Sequence, residues 1–260
     1  MAKLNELYQK ELHVVNFGVE AFYQDLLSQN KKAVHVNWKP AAGGDPRLAA
    51  MLRKLHSGEL GEKIAAANAE ALTRILNAQP TLIGLGTAGE LLPGMTKKTI
   101  LHAGPPITWD RMSGPVRGAV MGGLIYEGLA KDLKEAEELA ASGEITFDPC
   151  HHHNAVGPMA GVVTYSMPVW RMKNKAFGNE AYCTFNEGLG KVLRFGACDQ
   201  EVIDRLNWLA SGLYPVLRAA MEQIGEIDIK TMIAQILQMG DEGHNRNKAG
   251  TSLLFRELTL

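Results

Sequence analysis

The chain has 260 residues and a formal net charge of −1, from 27 Lys and Arg against 28 Asp and Glu. A charge this close to zero gives no reason to expect duplex nucleic acid or an anionic membrane as the main partner. Hydrophobic residues make up 46% of the sequence, which excludes a wholly disordered chain and fits one large soluble domain or two small ones.

The sequence also bears on the cellular compartment. It contains no stretch of about 18 apolar residues, so a membrane-spanning helix is not expected. It begins Met1-Ala2-Lys3-Leu4-Asn5-Glu6, without the order of charged and apolar regions that marks a secretory signal. Cys150, Cys183 and Cys198 are too few and too scattered for a disulfide framework. Together these features predict a cytoplasmic protein.

Two β-branched runs separated by a helical segment open the chain. Residues 12–18 and 33–38 have the composition of buried strands, and residues 19–29 between them carry apolar side chains at helical spacing. A connection of this length is typical of a parallel strand–helix–strand unit. With a further strand over residues 81–86, the pattern predicts a small Rossmann-like α/β unit over residues 1–95.

The remainder of the chain has a different texture. Residues 114–141 show helical periodicity, and residues 145–186 alternate short apolar runs with Gly, Pro and Asn, which indicates strands and loops. From residue 199 onward the pattern is mostly helical, with a kink expected at Pro215. The predicted fold class is therefore α/β: the Rossmann-like unit, an α+β domain over residues 96–198, and a helical C-terminal part over residues 199–260.

A run of potential metal ligands, Cys150-His151-His152-His153, stands just before Asn154. If the run is a strand, alternate side chains point to opposite faces, so at most two of the four converge on one ion. Three interpretations remain open: a metal site, a loop with polar packing histidines, and one histidine that acts as a proton donor or oxyanion partner. We take His152 as a candidate catalytic residue and Asn154 as a candidate binding residue, and we predict no metal ion.

A glycine-rich segment follows at residues 186–194. Glycines at positions 188 and 190 before a helical stretch allow backbone N–H groups to converge on an anion, and Lys191 and Arg194 add positive charge. We take Gly188, Gly190, Lys191 and Arg194 as candidate anion-binding residues and Glu187 as a candidate catalytic residue. The alternative interpretation is a strand-to-helix turn with solvated basic side chains.

A proline-rich loop leads into a helix start between residues 101 and 117. His102 precedes Gly104-Pro105-Pro106, and consecutive prolines make a rigid loop of the kind that often lines a ligand site. Arg117 lies at the start of the next predicted helix, where a guanidinium can bind a carboxylate through two hydrogen bonds. His102 is a candidate catalytic residue and Arg117 a candidate substrate-binding residue; a rigid interdomain connector is the alternative.

Two further segments carry weaker signals. Polar residues interrupt an apolar helical region at residues 239–247, and we take Asp241, His244 and Arg246 as candidates for substrate binding, with a solvated turn between helices as the alternative. The segment Gly84-Leu85-Gly86-Thr87-Ala88-Gly89 matches the GxGxxG pattern of dinucleotide-binding turns. No strand with a terminal acidic residue follows about 20 residues later, so dinucleotide binding is a minority interpretation.

Taken in order, these motifs resemble the YlbE/YahG-like family, long catalogued as a domain of unknown function. The resemblance extends from about residue 60 to the end and rests on the segments Leu101–Pro106, Cys150–Met159, Asn186–Gly196 and Met239–Asn247. Members of that family usually continue well beyond this length, so the sequence looks like the N-terminal part of a longer member. Some members are implicated as a subunit of oxamate carbamoyltransferase, which converts oxalurate and phosphate to oxamate and carbamoyl phosphate in purine (allantoin) breakdown.

The resemblance implies a carbamoyltransferase subunit that forms a homo-oligomer or a hetero-complex with companion subunits, and it implies no particular cofactor. Carbamoyl transfer to phosphate needs a phosphate-binding site, a group that binds the carboxylate, and hydrogen-bond donors directed at the developing oxyanion. The turn at residues 188–191 with Arg194 suits phosphate, Arg117 suits the carboxylate, and His102 or His152 suits the carbamoyl oxygen. A nucleotide- or acyl-CoA-binding module without its own catalysis is the alternative function, and a purely structural subunit is a third.

Overall fold

The computed structural model describes residues 11–157, 159–185, 190–241, 243 and 248–259. Contacts divide the chain into two units, with the boundary between Ile75 and Leu76. The predicted mixed α/β class with a helical C-terminal part is confirmed. The domain bounds at residues 95 and 198 stay predictions.

The first unit begins with a strand, a helix and a second strand. Strands β1 (His13–Phe17) and β2 (Lys32–Val36) are parallel, in register from the pair His13 and Lys32 to the pair Phe17 and Val36, and helix α1 (Glu20–Ser28) connects them. The parallel pair follows from local periodicity, because a connection through one helix returns the chain in the same direction.

Two longer helices follow in the chain. Helix α2 (Pro46–Leu55) begins where the Asp45 carboxylate accepts hydrogen bonds from the amides of Arg47 and Leu48, with proline at the first helical position. Helix α3 (Gly58–Asn77) comes next.

The described part of the second unit contains two sheets. Their strands are β3 (Pro80–Thr87), β4 (Thr99–His102), β5 (Thr146–Pro149), β6 (Ala155–Val156), β7 (Val162–Val163), β8 (Pro168–Asn174), β9 (Glu180–Thr184) and β10 (Ile227–Asp228). The order is β10-β3-β8-β9-β6 in one sheet and β5-β4-β7 in the other. The helices are α4 (Ala88–Leu91), α5 (Gly114–Tyr126), α6 (Leu133–Ala141), α7 (Gln200–Trp208), α8 (Tyr214–Ile224), α9 (Ile229–Gln238) and α10 (Lys248–Thr259). None of the helices in the described ranges has the length and apolarity needed to cross a membrane.

Strand β3 differs from its expected place. The sequence pattern groups it with β1 and β2, but it pairs antiparallel with β8 and β10. Its partners lie about 90 and 145 residues further along the chain, for example Leu85 opposite Trp170 and Leu82 opposite Ile227. Local periodicity predicts that a strand exists and cannot reveal which distant segment pairs with it.

A parallel crossover forms the centre of the second unit. Strand β4 runs through helices α5 and α6 to β5, and the two strands pair from Thr99 and Thr146 to His102 and Pro149. Residues 114–141, expected as one helical region, form two helices separated by a turn in which Gly128 has a positive φ of 70°. The turn lets α6 fold back along α5 before the chain re-enters the sheet.

Helix α5 packs closely on its neighbours because glycines replace side chains at its contacts. A Cβ on Gly118 would lie 2.2 Å from the carbonyl oxygen of Gly196, and one on Gly123 would lie 2.9 Å from Cγ2 of Thr164. The core around this helix consists of fully or almost fully buried side chains that include Ile100, Ala119, Val120, Leu124 and Val162. This packing holds α5 against β4 and β7.

The C-terminal helices form a second core against β3. Helix α7 continues through a π-helical turn over residues 209–213 into α8, whose first turn contains Pro215. The irregularity expected at this proline therefore lies in the turn just before it. Leu82, Met221, Ile227 and Ile236 are buried together in this core.

Candidate functional site

The carboxyl ends of β4 and β5 bring together several predicted residues. His102 is the last residue of β4 and pairs with Pro149, the last residue of β5. The 150–157 loop returns to this edge, because a Cβ on Gly157 would lie 2.8 Å from Cys150 Sγ and 3.8 Å from the amide nitrogen of Ala103. Ligands of α/β folds bind outside the carboxyl ends of parallel strands, so this edge is the candidate site.

His102 has an unusual environment for a polar side chain. It is 2% exposed, its Nδ1 lies 3.1 Å from the carbonyl oxygen of Ala103, and its buried Nε2 has no hydrogen-bond partner among the described protein atoms. A carbonyl oxygen only accepts, so Nδ1 donates and Nε2 of the neutral ring is an acceptor. By strand alternation His102 shares its face with Ile100, which packs against α5.

Arg117 lies in the first turn of α5 and is held in place by two contacts. Its Nη2 donates to the carbonyl oxygen of Asp110 at 2.7 Å, and its guanidinium carbon lies 5.2 Å from the centre of the Trp109 ring. The Trp109 ring in turn stacks on Phe147 of β5, with centroids 6.4 Å apart. The arginine is therefore fixed by an aromatic platform built on the same sheet as His102.

The N-terminus of α5 adds positive potential beside Arg117. Ser113 occupies the N-cap position without a capping bond from its side chain, and Pro115 follows in the first turn. Unpaired amides and the helix dipole at such an end favour an anion. The Arg117 Nε is buried and has no hydrogen-bond partner among the described atoms, so the arginine retains a donor for a ligand.

The described part of the glycine-rich segment lies against this same helix end. A Cβ on Gly196 would lie 2.5 Å from Cα of Pro115, which places the turn over residues 193–195 at the N-terminal half of α5. Lys191 donates to Asp199 at 2.9 Å, and this hydrogen bond raises the pKa of Lys191. The Arg194 guanidinium lies over the Phe195 ring at 5.0 Å. The charge of Lys191 is thus compensated within the chain.

The histidine run ends in a hydrogen-bonded cluster around Asp148. His152 Nδ1 lies 2.9 Å from Asp148 Oδ1, and His153 Nε2 lies 2.8 Å from Asp148 Oδ2. His153 Nδ1 also forms a short hydrogen bond with the carbonyl oxygen of Pro93. These histidines hold the pKa of Asp148 below its usual range, and the hydrogen bond from His153 has the largest effect. Asn154 closes the turn in a left-handed conformation with φ of 53°.

The same loop carries Cys150, the first of the potential metal ligands. The thiol is buried, which raises its pKa to about 11, so it stays protonated at neutral pH and is a poor nucleophile or metal ligand. Within the described ranges no three His, Cys, Asp or Glu side chains are placed to hold one metal ion.

Other predicted residues lie elsewhere or outside the described ranges. Asp241 accepts a hydrogen bond from the amide of Gly243 at 2.9 Å and lines a cavity of about 500 Å³ with Lys248 and Ser252, between α9 and α10. The predicted candidates outside the described residues are Glu187, Gly188, His244 and Arg246.

The GxGxxG-like segment does not form an open phosphate turn. The amides of Ala88 and Gly89 at the start of α4 donate to the carbonyl oxygens of Met167 and Tyr165, at 2.9 and 2.7 Å. A Cβ on Gly89 would lie 2.4 Å from the Tyr165 ring. These glycines allow close packing, and the amides are already used by the protein.

Several contacts of this site could not be predicted from the sequence, although Asp148 and Trp109 both lie in the motifs that the sequence indicated. Asp148 precedes His152 by four positions, a spacing that makes contact in a helical turn and not in the strand that the sequence indicated. Trp109 and Asp110 act through their position next to Arg117, which only the folded loop reveals.

Comparisons with known proteins show clear relatives. A family model described as oxamate carbamoyltransferase subunit AllG matches residues 145–260. The chain is 53% identical over 253 residues to the uncharacterized protein YahG of Escherichia coli K12, a match that covers 97% of this chain and 54% of YahG. It is 45% identical over 197 residues to the oxamate carbamoyltransferase subunit AllG of the same organism, covering 75% of this chain and 47% of AllG.

A solved structure is similar as well. The crystal structure of a conserved protein of unknown function from Enterococcus faecalis V583 matches with a TM-score of 0.75 and 53% sequence identity, over 78% of this chain and 49% of that one. The chain therefore spans about half the length of these relatives. The identities establish homology to YahG and AllG, and the resemblance to YahG expected from the motifs is confirmed.

Proposed function

We propose that this chain is part of a carbamoyltransferase subunit that converts oxalurate and phosphate to oxamate and carbamoyl phosphate. The homology to AllG supports a subunit role. The observation that carries the proposal is the site on the sheet of β4 and β5. There the buried Nε2 of His102 has no hydrogen-bond partner among the described atoms, and Arg117 of α5 packs over Trp109, which stacks on Phe147 of β5. A companion-subunit complex, a cytoplasmic location and a role in purine (allantoin) breakdown belong to the same proposal.

The reaction defines what such a site has to supply. A phosphate oxygen attacks the carbamoyl carbon of oxalurate, a tetrahedral intermediate forms, and the bond from that carbon to the oxamate nitrogen breaks. The departing nitrogen takes up a proton and becomes the amide of oxamate. The protein must therefore hold two anions together, orient the carbamoyl group and provide that proton.

The residues around α5 suit the carboxylate and the carbamoyl group. Arg117 and the N-terminal amides of α5 bind the oxalurate carboxylate, with the guanidinium oriented by Trp109 and by the Asp110 carbonyl. His102 Nε2, as an acceptor, binds the NH₂ of the carbamoyl group. The sequence expectation was donation to the carbamoyl oxygen, and that role requires a proton on both ring nitrogens of His102.

The phosphate is assigned to the glycine-rich turn. Gly190, Lys191 and Arg194 lie in the segment that packs on the N-terminal half of α5, so a phosphate there would lie at the same end of the helix. Because Lys191 already pairs with Asp199, phosphate has to displace that carboxylate to gain the full charge of the lysine.

A direct assay tests the proposal. The full chain is assembled with its companion subunits and supplied with oxalurate and phosphate, and carbamoyl phosphate is measured. We expect turnover in the wild-type complex and a large loss with Arg117→Ala. The matched control is Arg218→Ala, which removes an exposed arginine paired with Glu222 on α8 and should leave the rate unchanged. An intact complex that forms no carbamoyl phosphate would rule out the reaction.

A ligand titration separates this function from the alternative. Ligand at 100 times its dissociation constant stabilises the folded state by about 2.7 kcal/mol, which a melting curve detects. Stabilisation by oxamate and phosphate supports the transferase. Stabilisation by a nucleotide or CoA instead would favour a binding module, although the amides of the GxGxxG-like segment are already engaged.

A further inference from the structure

We infer that Asp148 and His153 are positioning residues that hold the His152 ring with its Nε2 outward, so that His152 delivers the proton to the departing nitrogen of oxalurate. This inference rests on the proposed function and deepens it. It assigns the proton donor that the reaction requires, and it assigns positioning roles to two residues that the comparisons do not single out.

The direction of the hydrogen bonds follows from the chemistry of the partners. The carbonyl oxygen of Pro93 can only accept, so His153 Nδ1 donates to it. An ionised Asp148 accepts through both oxygens, from His153 Nε2 at 2.8 Å and from His152 Nδ1 at 2.9 Å. His153 therefore donates from both nitrogens, and His152 carries hydrogen on Nδ1.

The two histidines differ in burial, which suits His153 to a positioning role and His152 to proton transfer. The side chain of His153 is 11% exposed, whereas that of His152 keeps 47% of its surface exposed. No described residue forms a hydrogen bond with His152 Nε2. A carboxylate on Nδ1 and a free Nε2 is the arrangement by which an aspartate orients a histidine for proton transfer.

The reaction calls for an acid at this position more than for a base. Phosphate is already an anion at neutral pH and needs little activation, while the nitrogen that leaves oxalurate is strongly basic. As its bond to the carbamoyl carbon breaks, that nitrogen takes the Nε2 proton, which leaves neutral His152 with hydrogen on Nδ1. The ring is exposed, so it regains its proton from solvent for the next turnover.

The groups facing His152 are few. Asp148 lies on its Nδ1 side, the His151 ring lies edge-on with centroids 4.6 Å apart, and His153 lies behind the shared carboxylate. His151 provides the matched control, because it belongs to the same run and has no hydrogen bond to Asp148 among the described contacts.

The first experiment measures orientation without any turnover. In protein with ¹⁵N-labelled histidine, the ring nitrogen shifts of His152 show which nitrogen carries hydrogen in the neutral ring. We expect hydrogen on Nδ1 in the wild type, mainly on Nε2 after Asp148→Ala, and again on Nδ1 after Asp148→Asn, whose amide oxygen still accepts. Hydrogen on Nε2 in the wild type, or no change after Asp148→Ala, would overturn the positioning role.

The second experiment measures the chemical step in the assembled complex. His152→Ala should lower kcat by about 10²–10⁴-fold, the range for loss of a general acid, with KM for oxalurate changed little, while His151→Ala should leave kcat within a factor of about two. Asp148→Asn should lower kcat in the wild type and change it by less than about two-fold in the His152→Ala background, because Asp148 acts through His152.

The outcomes separate the two levels of the proposal. A complex that turns over but loses less than about three-fold with His152→Ala contradicts the donor role. Equal effects of Asp148→Asn in both backgrounds would show that Asp148 acts only on structure. If the intact complex forms no carbamoyl phosphate, the proposed function and the donor role fail together, while the nitrogen shifts still decide the positioning role.

Discussion

His153 Nε2 donates to Asp148 Oδ2 at 2.8 Å, and the opposite nitrogen of the same ring donates to a backbone carbonyl. Both nitrogens of this buried ring therefore face an acceptor, one of them the Asp148 carboxylate. The pair links the end of β5 to the segment before β4, so that the candidate site depends on charge as well as on packing.

The Asp148 cluster predicts a pH dependence of stability. The pKa of Asp148 is lowered mainly by His153, so its ionised form stabilises the folded protein above its unfolded pKa of about 3.9. That contribution is lost as the pH falls through the lower folded value. In urea unfolding from pH 3 to 7, Asp148→Asn should be less stable than the wild type above about pH 4, and the difference should shrink below that pH. Glu137→Gln, on the exposed face of α6, is the control, and a difference independent of pH would contradict the assignment.

Replacement of His102 is expected to change stability little and to weaken oxalurate binding. His102→Met loses the hydrogen bond to the Ala103 carbonyl, which should destabilise the variant by about 0.5–1.5 kcal/mol. The substitution also removes a buried nitrogen without a partner, which destabilises the wild type by about 1–3 kcal/mol. We expect a free energy of unfolding within about 1 kcal/mol of the wild type together with weakened oxalurate binding. Leu101→Ala should lose about 2–5 kcal/mol of stability by opening a cavity. Unaltered oxalurate affinity in His102→Met would exclude the carbamoyl contact.

The close approach of Gly157 to Cys150 allows a test of how tightly this loop is packed. Its replacement by alanine places a Cβ 2.8 Å from Cys150 Sγ, and we expect a loss of about 1–3 kcal/mol in the free energy of unfolding. In a Cys150→Ala background the sulfur is gone, so Gly157→Ala should lose much less. Gly114→Ala, where a Cβ meets nothing within 4 Å, serves as the control. Equal losses with and without Cys150 would mean that the sulfur does not limit the space.

We expect the Trp109 ring to strengthen anion binding by Arg117. A cation–π contact contributes roughly 0.5–2 kcal/mol, so Trp109→Leu should weaken oxamate binding by about 2- to 30-fold in calorimetric titration. Trp109→Phe should retain most of the affinity, because the aromatic face is kept. Trp208→Leu, at an exposed tryptophan on α7, should have no effect. Similar losses for Leu and Phe at position 109 would point to shape and not to the aromatic face.

Replacements of Lys191 and of Asp199 are expected to change phosphate affinity in opposite directions. Lys191→Ala should weaken phosphate binding by a charge-assisted contact, roughly 1.5–3 kcal/mol. Asp199→Asn should strengthen it, because the competing carboxylate is removed while asparagine still caps helix α7. Unchanged phosphate affinity in Lys191→Ala would remove the lysine from the anion site.

Part of this site could be predicted from residue order alone. Glycines, prolines and histidines marked the loops that carry His102, His152 and Asn154, because loops that bind ligands use residues of unusual backbone freedom or acid–base chemistry. The partners of those residues could not be predicted. Asp148 contacts His152 only because the chain after β5 takes a tight helical turn; in an extended strand the two residues would lie on one face but about 13 Å apart.

The amino-acid sequence by itself determined the α/β class, the parallel pair of strands at the start and the helical C-terminal part, because composition and periodicity express local preferences. Only the tertiary structure decided that β3 joins a sheet with β8 and β10, that Lys191 pairs with Asp199, and that Arg117 packs over Trp109. Each of these depends on contacts between residues separated in the chain, and the burial and charge of a group are set by those distant neighbours, which a local pattern does not contain.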